Sequence, residues 1–168
     1  MPFVTAFYRA LGTGMVISVD SPIDDKVRSA MESLIEDYEH VLSRFRNDSL
    51  IAAIGKAEHG GSFDFPDWCA PLFDLYDALF SATSGAIDPC VGEDLIRLGY
   101  DASLSFTVTQ DAPEHLGALR GRAVWGRDVT RHGTTLVTHE PVQLDFGACG
   151  KGYLVDLLGR MLQSSQFV

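Results

Sequence analysis

The most regular pattern in this sequence is the spacing of apolar residues in its first third. Apolar side chains such as Val27, Met31 and Tyr38 recur there at steps of three and four residues. This spacing is typical of an amphipathic helix that buries one face. We therefore predict a long helix over residues 24–45, with Phe45 as a core residue at its end.

Weaker patterns predict the remaining elements, which alternate between helices and strands. The predicted helices cover residues 50–54, 67–83 and the stretch after 151, and the predicted strands cover residues 15–20, 63–65, 124–125, 128–131, 134–138 and 142–145. Turn residues between the later strands favour an antiparallel meander. Residues 101–121 show the least periodicity, and Phe167 and Val168 begin a further apolar run. The predicted fold class is α+β, a mostly antiparallel sheet covered by the two longer helices, within one domain.

Composition and charge exclude several functional classes. With 168 residues, 46% hydrophobic and 21% charged, the chain has the composition of a globular domain with a sizeable core. Thirteen Lys and Arg against 23 Asp and Glu give a net charge of −10, which repels nucleic acids and anionic membranes. The three cysteines and five histidines lack the spacings of zinc ligands or of a disulfide framework. We therefore expect no nucleic-acid partner and no zinc.

The N-terminal residues lack the basic and apolar segments of a signal peptide, and no stretch of about 18 apolar residues occurs. As written, the chain is expected to be cytoplasmic. The alternative is a cell-envelope protein whose signal has been removed.

A candidate anion-binding site lies in residues 144–153, where a predicted strand ends in a glycine-rich turn and a helix begins. Backbone N–H groups and the positive end of a helix dipole face an anion at such a junction, and Lys151 adds a charge. The segment is not a Walker A loop, because Asp145 stands where that motif needs glycine and Gly152 where it needs serine or threonine. The alternative is a tight connection whose glycines serve packing alone.

Three other segments carry weaker signals, each with a purely structural explanation. Asp88 follows a predicted helix end in the segment SGAIDP, where an Asx-turn would account for it. The segment LGT at residues 11–13 is by itself a turn, and LSRFRNDS at residues 42–49 is by itself a helix end followed by a capping segment.

The order of these four segments is more specific than any one of them. LGT at 11–13, LSRFRNDS at 42–49, SGAIDP at 84–89 and DFGACGKGY at 145–153 together resemble the ApbE family of FAD:protein FMN transferases. The resemblance implies an ApbE-like flavin transferase fold. It also implies an enzyme that uses Mg²⁺ and takes FAD as substrate. Such an enzyme transfers the FMN moiety to a Thr or Ser hydroxyl of an acceptor flavoprotein and releases AMP.

The resemblance assigns roles to individual residues of this sequence. It implies that Leu11 and Phe45 border the flavin, although the family often has methionine and tyrosine at these two positions. It implies that Asp145 and Lys151 contact FAD and take part in catalysis. The backbone carbonyl of Ala148 is the one metal ligand that the resemblance implies within this chain.

A second part of the implied FAD site is the turn after the 67–83 helix. The resemblance implies that Ala86, Ile87 and Asp88 line the FAD pocket. We therefore expect this turn and the glycine-rich turn to converge, with Asp88 and Lys151 facing one cavity.

The remaining metal ligands that the family carries are absent from these 168 residues. The resemblance therefore implies that residues 1–168 form the N-terminal part of a single transferase domain, incomplete at its C-terminus and inactive in isolation. The alternatives are a non-catalytic flavin-binding fragment, an FAD pyrophosphatase, or a structural domain without a ligand.

Overall fold

The computed structural model describes residues 2–165 and combines helices with antiparallel strands, which confirms the predicted α+β class. The strands are β1 (Phe3–Ala10), β2 (Thr13–Val19), β3 (Gly61–Asp64), β4 (Val129–His132) and β5 (Thr135–Thr138). The α-helices are α1 (Asp25–Leu42), α2 (Leu50–Lys56), α3 (Ala70–Ala82), α4 (Gly92–Arg97), α5 (Ala112–His115) and α6 (Gly147–Ser165). Within these described residues, no helix has both the length and the apolar character needed to cross a membrane. The predicted apolar run at Phe167 and Val168 lies outside them.

The N-terminal hairpin of β1 and β2 forms a sheet of its own. Phe3 pairs with Val19 and Ala10 with Thr13 in the antiparallel register. Leu11 and Gly12 form the connection, and both have positive φ angles, 56° and 73°. Hairpins with two-residue turns favour this left-handed backbone because it follows the twist of the strands. The sequence pattern predicted most of β2 but not β1.

The second sheet has the order β3-β5-β4, with both pairs antiparallel. The predicted hairpin at residues 128–138 is confirmed, and Gly133 in its turn has φ 63°. The predicted strand at residues 142–145 is wrong: this segment belongs to neither sheet. Its backbone bonds instead to the turn after α3, through Gly92 N–H to Gln143 O at 3.1 Å and Asp145 N–H to Pro89 O at 2.7 Å.

The long helix predicted at residues 24–45 is α1, and it ends three residues earlier than predicted. The Asp24 side chain caps its N-terminus by accepting the Val27 N–H at 2.8 Å. At the other end, Ser43 has an extended backbone with ψ 115°, so Arg44 and Phe45 leave the helix axis. Phe45 is accordingly 41% exposed, and its prediction as a core residue is wrong.

Helix α6 crosses α1 and closes the core beneath the candidate site. Leu154 and Leu158 on α6 are buried, and the hydroxyl of Tyr38 on α1 donates to the Gly150 carbonyl at 2.7 Å. Phe146, directly before α6, packs against Phe73 with ring centres 5.5 Å apart. The start of α6 is therefore fixed by buried contacts on several sides.

Candidate functional site

A cavity of about 420 Å³ lies where the β1–β2 turn, the end of α1, the start of α6 and the loop after α4 meet. Its volume falls in the range of small-molecule sites. The residues that line it are Leu11, Gly12, Thr13, Tyr38, Glu39, Leu42, Ser43, Arg44, Phe45, Arg46, Tyr100, Ala102, Leu104, Phe106, Asp145, Phe146, Gly147, Gly150 and Lys151. They come from segments far apart in the sequence, so the cavity exists only in the folded chain.

The N-terminus of α6 forms the polar wall of the cavity. Asp145 Oδ1 accepts the Gly147 N–H at 2.7 Å and so caps the first turn. A Cβ atom at Gly150 would lie 3.1 Å from the Tyr38 hydroxyl oxygen, so glycine allows α6 to approach α1 this closely. Lys151 is exposed in the cavity wall and forms no hydrogen bond or ion pair with the described residues. Its ammonium group is therefore free to meet a ligand.

An ion pair joins this turn to the end of α1. Arg44 Nε donates to Asp145 Oδ2, and the two side chains are only 8% and 11% exposed. The Nη2 atom of Arg44 is buried and has no hydrogen-bond partner among the described residues. The sequence analysis did not single out Arg44, although it lies in the LSRFRNDS segment.

Aromatic side chains form the opposite wall. The rings of Phe45 and Tyr100 meet edge to face with centres 5.3 Å apart, and Phe106 stacks on Tyr100 at 6.3 Å. The Arg44 guanidinium carbon lies 4.3 Å from the Phe45 ring centre and 4.7 Å from the Tyr100 ring centre. Such a wall suits a flat aromatic ligand, because rings gain from stacking beyond the area they bury.

The loop after α4 supplies part of this aromatic wall, and the sequence analysis missed it. The Asp101 carboxylate accepts both the N–H and the hydroxyl of Ser103 and of Ser105, at 2.7–3.1 Å. These hydrogen bonds hold the pKa of Asp101 well below its ordinary value. Leu104 and Phe106 have positive φ angles of 52° and 49°. The signal in the sequence was the alternation of one aspartate and two serines, which favours a side-chain-stabilised loop.

Acidic groups at the cavity are already engaged. Glu39 Oε1 accepts the backbone N–H of Leu11 at 2.6 Å, which ties the hairpin turn to α1. At the outer rim, Arg46 forms hydrogen bonds of 3.0 Å to both oxygens of Asp48. Arg46 holds the pKa of Asp48 down to about 2.

Four of the residues predicted from the sequence line this cavity together: Leu11, Phe45, Asp145 and Lys151. Ala148, the predicted metal contact, lies exposed in the first turn of α6 and does not line the cavity. The chemical roles predicted for these residues stay predictions.

The turn at residues 86–88 lies outside the cavity. Asp88 is 4% exposed, and its carboxylate accepts from Arg122 Nη1 at 3.0 Å and from the Cys90 N–H at 2.8 Å. Neither Asp88 nor Ala86 and Ile87 line the cavity that Lys151 lines. This corrects the expectation that Asp88 and Lys151 face one cavity. A backbone hydrogen bond from the Asp145 N–H to the Pro89 carbonyl joins the two turns, and direct FAD contacts of residues 86–88 stay a prediction.

The described residues do not assemble a metal centre by themselves. Over residues 2–165, no group of three or more His, Cys, Asp or Glu side chains could hold a metal ion. The two carboxylates that line the cavity, Glu39 and Asp145, already accept hydrogen bonds from Leu11 and from Arg44 and Gly147. Mg²⁺ prefers several oxygen ligands, which this donor set does not supply.

The cavity lining thus combines Lys151 and the N-terminus of α6 with the aromatic side chains of Phe45, Tyr100 and Phe106. The family model of the ApbE family matches residues 11–168, so the chain belongs to the ApbE family. Comparison with curated proteins gave no match.

Solved structures confirm the fold. The chain is similar to "Flavin Transferase ApbE from Vibrio cholerae" with a TM-score of 0.81 and 22% identity, covering 98% of this chain and 54% of that one. It is similar to the flavinyl transferase ApbE of Pseudomonas stutzeri, apo form, with a TM-score of 0.75 and 22% identity over 97% and 54% of the two chains. It is also similar to the ApbE protein of Thermotoga maritima, with a TM-score of 0.73 and 20% identity, covering 98% of this chain and 53% of that one. The chain thus spans little more than half the length of these structures.

Proposed function

We propose that this chain forms the FAD-binding part of an FAD:protein FMN transferase. The proposed reaction moves the FMN moiety of FAD to a Thr or Ser hydroxyl of an acceptor flavoprotein and releases AMP. Membership of the ApbE family supports this proposal, and so does a fold shared with proteins named flavin transferases. The observation that carries it is the cavity, whose lining contains both aromatic side chains and Lys151 with the N-terminus of α6.

The two walls suit the two chemical parts of FAD. The isoalloxazine ring is flat and aromatic, and we place it against Phe45 and Tyr100, with Leu11 at its edge. The diphosphate is anionic, and we place it at Lys151 and the first turn of α6, where the helix dipole favours negative charge. The Lys151 ammonium forms no ion pair within the described part of the chain, so it can contact a phosphate without first breaking an interaction there.

The transfer step exchanges the phosphoanhydride bond of FAD for a phosphoester bond to the acceptor. The acceptor hydroxyl oxygen forms a bond to the phosphorus of the FMN half, and the bond from that phosphorus to the bridging oxygen breaks. AMP leaves with the bridging oxygen, and the hydroxyl proton goes to a base. Lys151 neutralises charge that develops on the phosphate oxygens, which is the main demand of phosphoryl transfer. Asp145 holds the first turn of α6 through Gly147 and thereby orients the amides near the phosphates.

We include dependence on Mg²⁺ in the proposal, and its support is the resemblance to the ApbE family alone. The described residues do not form a magnesium site, and no step above uses the ion. The Ala148 carbonyl stays a predicted ligand. A second candidate function follows from the same observation: with no acidic cluster among residues 2–165, this chain by itself binds FAD without transferring FMN.

The experiment is a titration of the protein with FAD, followed by flavin fluorescence, together with an assay for AMP release and covalent flavin on an acceptor flavoprotein. Phe45→Ala is expected to weaken FAD binding roughly tenfold, because a base that stacks on an aromatic ring gains about 1–3 kcal/mol. Phe3→Ala is the matched control, since Phe3 is 47% exposed and lies outside the cavity.

Three outcomes separate the alternatives. Binding with AMP release and labelled acceptor supports the transferase, whereas binding without either supports the non-catalytic candidate. AMP release with no labelled acceptor would indicate an FAD pyrophosphatase. No FAD binding at all, by a folded protein, would overturn the proposed function.

A further inference from the structure

One buried cationic donor at the cavity has no partner. The Arg44 side chain is 8% exposed, and its Nε atom is engaged by Asp145. Its Nη2 atom is buried and makes no hydrogen bond with any described residue. Buried donors in folded proteins are nearly always paired, so an unpaired one beside a cavity indicates a group that arrives from outside the chain.

The ion pair with Asp145 fixes where this free donor lies. Asp145 is itself held by Gly147 in the first turn of α6, so the guanidinium is anchored to the helix whose next turn begins with Lys151. The rings of Phe45 and Tyr100 lie against the guanidinium carbon at 4.3 and 4.7 Å. Both rings and Arg44 itself line the cavity, and the rings are 41% and 37% exposed.

The charge around this donor favours an anion. Lys151 lines the same cavity and forms no ion pair with residues 2–165, and α6 is a 19-residue helix whose first residues line the site. Asp145 caps this helix and pairs with Arg44 Nε, and Glu39 is the other carboxylate of the lining, whereas three cations line it: Arg44, Arg46 and Lys151. In a chain of net charge −10, this is a local concentration of positive charge.

We propose that Arg44 is a phosphate-binding residue of this cavity, which offers Nη2 to a phosphate oxygen of the ligand while Nε keeps Asp145 in place. The inference rests on the proposed function, which supplies FAD as the ligand, and adds to it a second cation besides Lys151. A flavin carbonyl oxygen is the competing acceptor for Nη2. The ligands FMN and riboflavin distinguish the two, since they differ only in the phosphate.

The test compares the binding of FMN, FAD and riboflavin to the wild-type protein and to Arg44→Lys and Arg44→Gln. Lysine retains the charge and the pairing with Asp145 but has one nitrogen, so it loses the second donor. We expect both variants to bind FMN and FAD roughly tenfold or more weakly, because hydrogen bonds between charged groups are the strong ones. Riboflavin binding is expected to change by less than roughly twofold.

The control is Arg28→Gln, which makes the same change of net charge at an arginine outside the cavity, 42% exposed and paired with Glu32. It should leave all three affinities unchanged. The inference is overturned if Arg44→Lys, shown by circular dichroism to be folded, binds FMN as the wild type does. It is also overturned if riboflavin and FMN lose equal affinity, which would assign Nη2 to the flavin ring.

A variant-free measurement covers the case in which neither substitution folds. Phenylglyoxal modifies arginines, and inorganic pyrophosphate is expected to protect Arg44, mapped by mass spectrometry, while leaving Arg28 unprotected. Equal modification of Arg44 with and without pyrophosphate overturns the inference. Because pyrophosphate contains no flavin, this result is independent of FAD binding. If the wild type binds pyrophosphate but no flavin, the proposed function fails while the assignment of Arg44 stands.

Discussion

Two buried arginine–aspartate pairs lie near the two turns that adjoin at the start of α6. They differ in whether the unbonded nitrogen of the arginine lies at the cavity. The side chains of Arg122 and Asp88 are 7% and 1% exposed, and the side chains of Arg44 and Asp145 are 8% and 11% exposed. The Asp88 carboxylate also accepts the N–H groups of Cys90 and Trp125. The Arg44 pair instead keeps an unpartnered nitrogen at a cavity.

The difference shows how one kind of ion pair serves two purposes. Arg122 Nη1 donates to both Asp88 and the Ala123 carbonyl, and Nε makes a close charge contact of 2.9 Å with Asp94 rather than a hydrogen bond. The unbonded Nε of Arg122 thus lies against a carboxylate of the protein and away from the cavity, so we interpret this pair as a fixed support. The Arg44 pair is also an arginine–aspartate ion pair, but its Nη2 atom has no hydrogen-bond partner among the described residues and lies at the cavity. A binding site requires such a free donor.

The largest expected effect comes from breaking the supporting pair. Asp88→Ala removes the carboxylate that accepts from Arg122 Nη1 and from the N–H groups of Cys90 and Trp125, and Asp94 stays as the remaining charged partner of Arg122. Removing one member of a buried pair costs about 3–5 kcal/mol. The melting temperature should fall by roughly 10 °C. Thermal unfolding followed by circular dichroism measures it, with Asp37→Ala as the control because Asp37 is exposed on α1. An unchanged melting temperature for Asp88→Ala would show that the support is dispensable.

A smaller but more specific effect is expected at the cavity. Lys151→Ala removes a charged contact to the ligand and should weaken FAD binding by roughly 10- to 100-fold while leaving the melting temperature unchanged. Lys26→Ala is the matched control, since Lys26 is exposed on α1 and outside the cavity. In the complete transferase we expect Lys151→Ala to slow FMN transfer by orders of magnitude. Near-normal FAD affinity and turnover would remove Lys151 from the site.

The smallest effect tests how tightly α6 is packed against α1. Gly150→Ala places a Cβ 3.1 Å from the Tyr38 hydroxyl, whereas a Cβ at Gly152 meets nothing within 4 Å. Alanine favours both helical positions equally, so the difference between the two variants isolates the crowding. We expect Gly150→Ala to be less stable than Gly152→Ala by about 1–3 kcal/mol, measured by denaturant unfolding. Equal free energies of unfolding for the two variants would mean that α6 moves away from α1 without a loss of stability.

The sequence predicted those parts of the molecule whose signals are local. The three- and four-residue spacing around Met31 and Tyr38 identified α1, and Ser49 caps α2 as its position before the helix suggests. A helix after Asp145 was predicted, because glycine and charge patterns act over a few residues, but α6 begins at Gly147, four residues before the predicted start at Lys151, so most of the predicted turn is helical.

What the sequence could not predict depends on distant partners. Nothing near Asp88 in the sequence indicates that Arg122, 34 residues away, neutralises it, and Arg44 pairs with Asp145 across 101 residues. The aromatic wall was missed because Tyr100 and Phe106 sit in a loop whose shape depends on positive φ angles and the Asp101 hydrogen bonds. Residues 142–145 alternate like a strand, yet their partners are the residues after α3.

The hydrogen bond from the Asp145 amide to the Pro89 carbonyl joins the two turns without using any side chain. Changes of side chain at position 145 therefore leave this link between the supporting pair and the cavity in place, proline excepted because it lacks the donor. A substitution at residue 145 removes the pair with Arg44 and the cap on Gly147, but it keeps the backbone hydrogen bond by which the turn after α3 holds the entry to α6.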